Sequence, residues 1–128
     1  MKKCVFCLDN QLLKSEIYLQ NTLFYFCSAQ DTILQHSGLI IPFRHIETPF
    51  KFTEKEWQVL QQTLQEAKKY FNKFNPQGYN IGWNVGAVAG QTVKHVHLHI
   101  IARFENEPYS GRGIKYHLRS KENKRKNK

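Results

Sequence analysis

The most regular alternation of polar and apolar positions lies in the last third of the chain. From Lys94 to Arg103, His95, His97 and His99 interleave with Val96, Leu98 and Ile100. A two-residue period puts the histidines on one face of a strand and the aliphatic residues on the other. Neighbouring imidazoles in such a row stand roughly 7 Å apart along the strand. Upstream, Glu16 to Phe26 is rich in β-branched and aromatic residues and breaks at Gln20-Asn21, which predicts two short strands joined by a tight turn. Gly38 to Pro42 predicts a short apolar strand that the proline stops. The stretch from Ile46 to Phe52 reads as a loop.

The period then changes. Trp57, Leu60, Leu64, Ala67, Phe71 and Phe74 recur at spacings of three and four, an apolar helical stripe that should pack on a sheet. Thr53-Glu-Lys-Glu56 has the form of a capping box at its start, and Asn75-Pro-Gln-Gly78 ends it. Tyr79 to Val85 predicts another strand, followed by the glycine-bearing loop Gly86 to Gln91. The order is strands, one long helix, then strands. That is an α+β arrangement: an antiparallel sheet of about five strands with the helix on one face.

At 128 residues the chain suits a single domain with a real core. We place that domain at residues 1–110, with a basic segment at 111–128. No apolar run is long enough for a membrane span. The start, Lys2 and Lys3 followed by Cys-Val-Phe-Cys and Leu-Asp-Asn, is too short and polar for an export signal, so a cytoplasmic protein is expected. Three cysteines without such a signal argue against a disulfide framework. Cys27 sits in an apolar run and reads as buried packing. Cys4-x-x-Cys7 reads as a redox pair, half of a zinc site, or neither. The formal charge is +9, much of it in the tail from Arg119 to Lys128. That tail is expected to be solvated and frayed. The wider positive field suits an anionic substrate and allows a polyanion such as RNA as a partner.

Neutral imidazole is a competent nucleophile and general base near neutral pH, while His-x-His on a strand is also common metal spacing. Gly90 to Ile101, with His95-Val-His97-Leu-His99-Ile-Ile, resembles the signature of the histidine-triad family. Ala89-Gly-Gln-Thr-Val93 resembles its diadenosine polyphosphate hydrolase branch. The likeness extends to Leu39-Ile-Ile-Pro-Phe-Arg-His45 and to the Cys4-x-x-Cys7 start, so it spans Cys4 to about Arg103.

The resemblance implies the histidine-triad fold and a division of roles. His97, flanked in the catalytic row by His95, attacks the α-phosphorus and becomes nucleotidylated. His99 holds a phosphate oxygen. Gln91 lies near the phosphate chain or leaving group, and Asn84 contacts phosphate or ribose. Relatives that begin Cys-x-x-Cys imply a structural zinc held by Cys4, Cys7, His45 and His95. A Mg²⁺ accompanying polyphosphate substrates and a homodimer are implied as well.

Three features depart from the pattern. The histidine expected just before Leu39-Ile-Ile-Pro42 stands one place early, as His36. The acidic ribose-binding position aligns with Ala29, which leaves Asp31 as the candidate. Ala102-Arg103 stands where Pro-Arg is usual. The glycine-rich, basic Tyr109 to His117 either folds over the substrate, packs at a dimer edge, or is a plain loop. The leading functional expectation is cleavage of dinucleoside polyphosphates or related phosphoanhydrides and phosphoramidates. The alternatives are nucleotidyl transfer to a phosphate or sugar phosphate, and a zinc-stabilised nucleotide- or RNA-binding module.

Overall fold

The computed structural model describes residues 3–126, so Lys2 and the last two residues of the basic tail lie outside the described residues. Five strands form one antiparallel sheet: β1 (Ile17–Gln20), β2 (Phe24–Ser28), β3 (Ser37–Pro42), β4 (Gly78–Gly82) and β5 (Leu98–Arg103). Their order across the sheet is β1-β2-β3-β5-β4. The helix α1 (Glu54–Asn72) connects β3 to β4, and a single-turn helix α2 (Lys115–Leu118) follows β5. None of the described helices is long and apolar enough to cross a membrane.

The expected tight turn between β1 and β2 is built on Asn21. Its Oδ1 accepts from the N–H groups of Leu23 and Phe24, and its Nδ2 donates to Thr63 Oγ1 on α1. One side chain therefore shapes the hairpin and ties it to the helix.

The sheet has two covered faces. Phe24, Phe26, Ile40, Leu98, Ile100 and Ala102 meet Leu60, Ala67 and Phe71 of α1. The other face carries Tyr25, Cys27, Leu39 and Ile41, and the N-terminal segment roofs it with Phe6, Val5, Leu8 and Leu13. Burial pushes the Cys27 thiol up to about 12, as befits a packing residue. The Tyr25 hydroxyl donates to the Phe6 carbonyl at 2.6 Å, so a buried polar atom pins the roof.

Two expected boundaries shift. The histidine strand begins at Leu98, not Lys94, because Leu98 faces Ile40 in the last β3–β5 pair. Beyond it, Ile41 and Pro42 pair only with β2, and the Val96 N–H goes instead to the Ile46 carbonyl at 2.7 Å. For the same reason β4 ends at Gly82, opposite His99, rather than at Val85. The apolar stripe also turns: Glu56, Leu60, Thr63, Ala67 and Phe71 face the sheet, while Trp57 stays 43% exposed and packs edge-on against Phe52 and Trp83. Residues 56 and 57 lie about 100° apart around a helix, so burying one exposes the other.

The predicted capping box is present in both halves. Thr53 Oγ1 accepts from the Glu56 N–H and Glu56 Oε1 accepts from the Thr53 N–H. The same buried carboxylate takes two bonds from Arg44, Nη2 to Oε1 at 2.7 Å and Nε to Oε2 at 3.1 Å. Arg44 thereby fastens the turn after β3 to the start of α1. The Arg44 guanidinium, aided by the Thr53 N–H, holds the Glu56 carboxyl below its ordinary 4.5. A carboxyl held low in the folded state stabilises it fully above the ordinary value, and that stability is lost as pH falls through the lowered one. Glu56→Gln should therefore cost about 1–2 kcal/mol at neutral pH. In urea melts the gap between parent and variant should narrow as pH falls below 4.5, and a gap independent of pH would contradict this.

Candidate active site and metal centre

The three histidines that share a face do not share an environment. His95 is wholly buried and His97 is 6% exposed, so the row is not the open array that alternation suggested. Phe6 stands edge-on to His97 at 5.0 Å and to His95 at 6.1 Å, closing this part of the face from above. Phe6 carried no functional signal in the sequence, although it lies between the two cysteines.

The hydrogen bonds assign each ring its tautomer. His95 Nε2 lies 2.8 Å from the Pro42 carbonyl and must donate to it. His95 Nδ1 then offers a lone pair toward Cys4 Sγ at 3.4 Å, Cys7 Sγ at 3.5 Å and His45 Nδ1 at 3.2 Å. His97 Nδ1 lies 2.8 Å from the His95 carbonyl and donates in turn, which leaves the lone pair on Nε2. His99 Nε2 is buried with no hydrogen-bond partner among the described residues. Burial lowers the pKa of all three rings; the Pro42 carbonyl opposes this at His95, and the His95 carbonyl opposes it at His97. Neighbouring imidazoles lower His95 and His99 further. All three are thus neutral at pH 7.

Cys4, Cys7, His45 and His95 bring their ligand atoms within 4.8 Å of one another. A tetrahedral ion with ordinary Zn–S and Zn–N bonds separates its nitrogens by roughly 3.3 Å and a sulfur from a nitrogen by roughly 3.6 Å. The distances match: 3.2 Å between the Nδ1 atoms and 3.2–3.5 Å from sulfur to nitrogen. The four residues can hold a metal. Without a cation, burial and then the hydrogen bond and charge of Cys4 push the Cys7 thiol up to about 11, and a bound cation reverses that logic. Among the described residues no carboxylate joins this cluster, so the expected Mg²⁺ gains no protein ligand from it.

The remaining predicted residues fall into two groups. Asn84 leans on the Gly86–Gln91 loop, its side chain 3.8 Å from the space a Cβ on Gly90 would fill. Gly90, at φ 100°, holds a conformation that favours glycine. Gln91 is fully spent on shape: Oε1 accepts from the Gly86 N–H, and Nε2 donates to the carbonyls of Glu47 and Val93. Asp31 is exposed, and its Oδ1 accepts from the N–H groups of Ile33 and Leu34 at 2.8 and 2.7 Å. Those two bonds cap its own turn. His36 stacks on Phe74 at 3.8 Å, toward the helix layer. Buried Ser37, paired with Ile101, takes the triad face instead. Strand parity carried that signal, since Ser37 and Leu39 alternate with Gly38.

The HIT domain model matches residues 11–106. This chain belongs to the HIT family. A HIT-like protein of Borreliella burgdorferi is 32% identical over 125 residues, 92% of this chain and 88% of its own length. A bis(5'-adenosyl)-triphosphatase of Dictyostelium discoideum is 32% identical over 98 residues, covering 73% of this chain and 66% of the relative. Among solved structures, a HIT family protein from Bacillus subtilis superposes with a TM-score of 0.74 at 26% identity, over 82% of this chain and 76% of the other. A zinc-bound histidine triad protein from Mycobacterium smegmatis shares the fold at TM-score 0.73 and 23% identity, over 88% and 83%.

Gln91 offers a direct check on the HIT loop. Gln91→Ala strands the Gly86 N–H and two carbonyls, so it should cost about 1–2 kcal/mol. Amide exchange should quicken across residues 86–93 and hold steady in β2 and α1, and uniform exchange would show that the side chain does not shape the loop.

Proposed function

We propose that this HIT protein hydrolyses dinucleoside polyphosphates or related nucleotidyl phosphoanhydrides and phosphoramidates through a nucleotidyl-histidine. The observation that carries the reading is the hydrogen bond from His97 Nδ1–H to the His95 carbonyl. It orients a neutral ring with its Nε2 lone pair free. In the first displacement Nε2 forms a bond to the α-phosphorus. The bridging P–O or P–N bond breaks, and the leaving group departs with the electron pair. In the second, water attacks the same phosphorus, gives up its proton to solvent, and returns Nε2 as the leaving group with its lone pair. Two moderate barriers replace one high one. His99 Nε2, buried without a protein partner, is the proposed contact to a phosphate oxygen. Gln91 shapes the loop beside the phosphates, and Asn84 lines it.

The metal in this proposal is zinc. Cys₂His₂ is a closed set with no open position, which suits a structural ion. Zinc would join the N-terminal segment, the turn after β3 and the catalytic segment, holding Phe6 over His97. Nucleotidyl transfer differs only in the acceptor, so a phosphate or sugar phosphate replaces water in the same second step. The homodimer belongs to the proposal too: β4 is an open edge, with Ile81 and Trp57 exposed beside it. The protein acts as a soluble cytoplasmic enzyme.

His97→Ala should lower kcat on diadenosine tetraphosphate by about 10³-fold or more. Mass spectrometry of quenched parent enzyme should find AMP on His97. A variant as active as the parent removes His97 from the nucleophile's role. For the metal, elemental analysis should find about one zinc per chain. Cys7→Ser and His45→Ala should each lose it and melt roughly 5–10 °C lower. Full stability after exhaustive chelation would count against a structural ion.

A further inference from the structure

A cavity of about 840 Å³ lies outside the triad. It opens where the chain beyond β5 folds back over the sheet. Arg103 holds that arm down. Its Nε donates to Glu107 at 2.8 Å, Nη1 to the Arg112 carbonyl at 2.7 Å and to Asn80, and Nη2 to the Tyr109 carbonyl at 3.0 Å. A single guanidinium, the residue that stands where the family pattern has its arginine, thus fixes residues 107–112 as a wall.

The cavity touches the catalytic face. Ile101 and Asn80 line its floor, and Ile101 is the next residue after His99 on that face, roughly 7 Å along the strand. Ile114, on the arm, comes within 4.0 Å of the space a Cβ on Gly82 would fill, and Gly82 is the direct partner of His99. A wall residue of the cavity, Ile114, therefore lies beside the strand position opposite His99.

Its lining selects a chemistry. Ile33, Ile101, Ile114, Tyr109 and Tyr116 give flat apolar walls. The Arg112 guanidinium lies over the rings of Tyr109 and Tyr116 at 4.0 and 4.4 Å. Among the described residues it makes no ion pair, since the ion pairs there are Arg44 with Glu56 and Arg103 with Glu107. The carboxylate of the cavity, Glu107, is already spent on Arg103 and the Phe104 N–H. The result is an aromatic, positively charged site of a volume usual for small ligands.

Resting on the hydrolase reading above, we propose that this cavity receives the leaving nucleotide. Its base packs against the tyrosines and Ile101, and its phosphate pairs with Arg112. The arm thereby selects substrates whose leaving group is itself a nucleotide. The anion enters past His99, so one phosphate chain runs from the attacked phosphorus to Arg112 along a single strand face.

The test compares two substrates with the same transferred nucleotide. Diadenosine tetraphosphate has a nucleotide leaving group, and adenosine phosphoramidate releases only ammonia. Arg112→Gln and Ile114→Trp, the second filling the cavity, are each measured on both. The ratio of kcat/KM for the first substrate over the second should fall tenfold or more in each variant, on the scale of one lost charged hydrogen bond. ATP binding to His97→Ala protein, followed by calorimetry, should weaken to a similar degree when Arg112→Gln is added. An unchanged ratio, or equal losses on both substrates, overturns the cavity assignment while leaving the nucleophile intact. If the parent cleaves neither substrate the hydrolase reading fails, and the calorimetry alone then decides whether the cavity binds nucleotide.

Discussion

The site depends on the two-ended tether of His95. Its ring is fully buried, so neither nitrogen can turn to water, and each must be satisfied inside the protein. Nε2–H goes to the Pro42 carbonyl, which commits Nδ1 to the cysteine and histidine cluster. The backbone carbonyl of the same residue accepts from His97 Nδ1. One residue therefore decides which atom faces the metal cluster and which atom of its neighbour keeps a free lone pair. Pro42 contributes by ending the sheet ladder there: its carbonyl is free for an imidazole because β5 has not yet begun.

What could be read from the chain alone was whatever depends on near neighbours. The capping box needs only Thr53 and Glu56. The hairpin turn needs only Asn21 and the two N–H groups after it. The alternation of histidines with aliphatics, and the family likeness it carried, located the face and the candidate ligands, and Cys4, Cys7, His45 and His95 do converge. What the chain alone left open is set by tertiary packing. The start of β5 is decided by where β3 stops pairing, some sixty residues upstream. Trp57 was assigned to the stripe because a list of apolar positions does not say which of two adjacent residues meets the sheet. Gln91 spends its amide on Glu47, 44 residues away. Arg103 gathers partners from Asn80, Glu107, Tyr109 and Arg112, a set that no spacing rule announces.

The N-terminal segment and the arm after β5 divide the histidine face between them. At one end Tyr25, Cys27, Leu39 and Ile41 would be exposed, and the segment from Cys4 to Leu13 covers them. At the other, the arm after Arg103 leans over Asn80 and Ile101. His97 and His99 lie between the covers, their rings 5.1 Å apart. This is the stretch of the face where an anion can approach imidazoles that burial keeps neutral.

That neutrality works together with the His95 carbonyl in the proposed displacement. As His97 Nε2 bonds to phosphorus, its ring passes from neutral to cationic. The Nδ1–H then becomes a stronger donor to a carbonyl already in place at 2.8 Å. A hydrogen bond that strengthens as charge develops lowers the barrier, whereas one equally strong before attack would not. The acceptor is main chain, held by a residue tethered at both ring nitrogens, so no reorganisation is needed when the charge appears. The tether that orients the candidate metal ligands thus also prepares the proposed nucleophile to bear positive charge in a site with little water to share it.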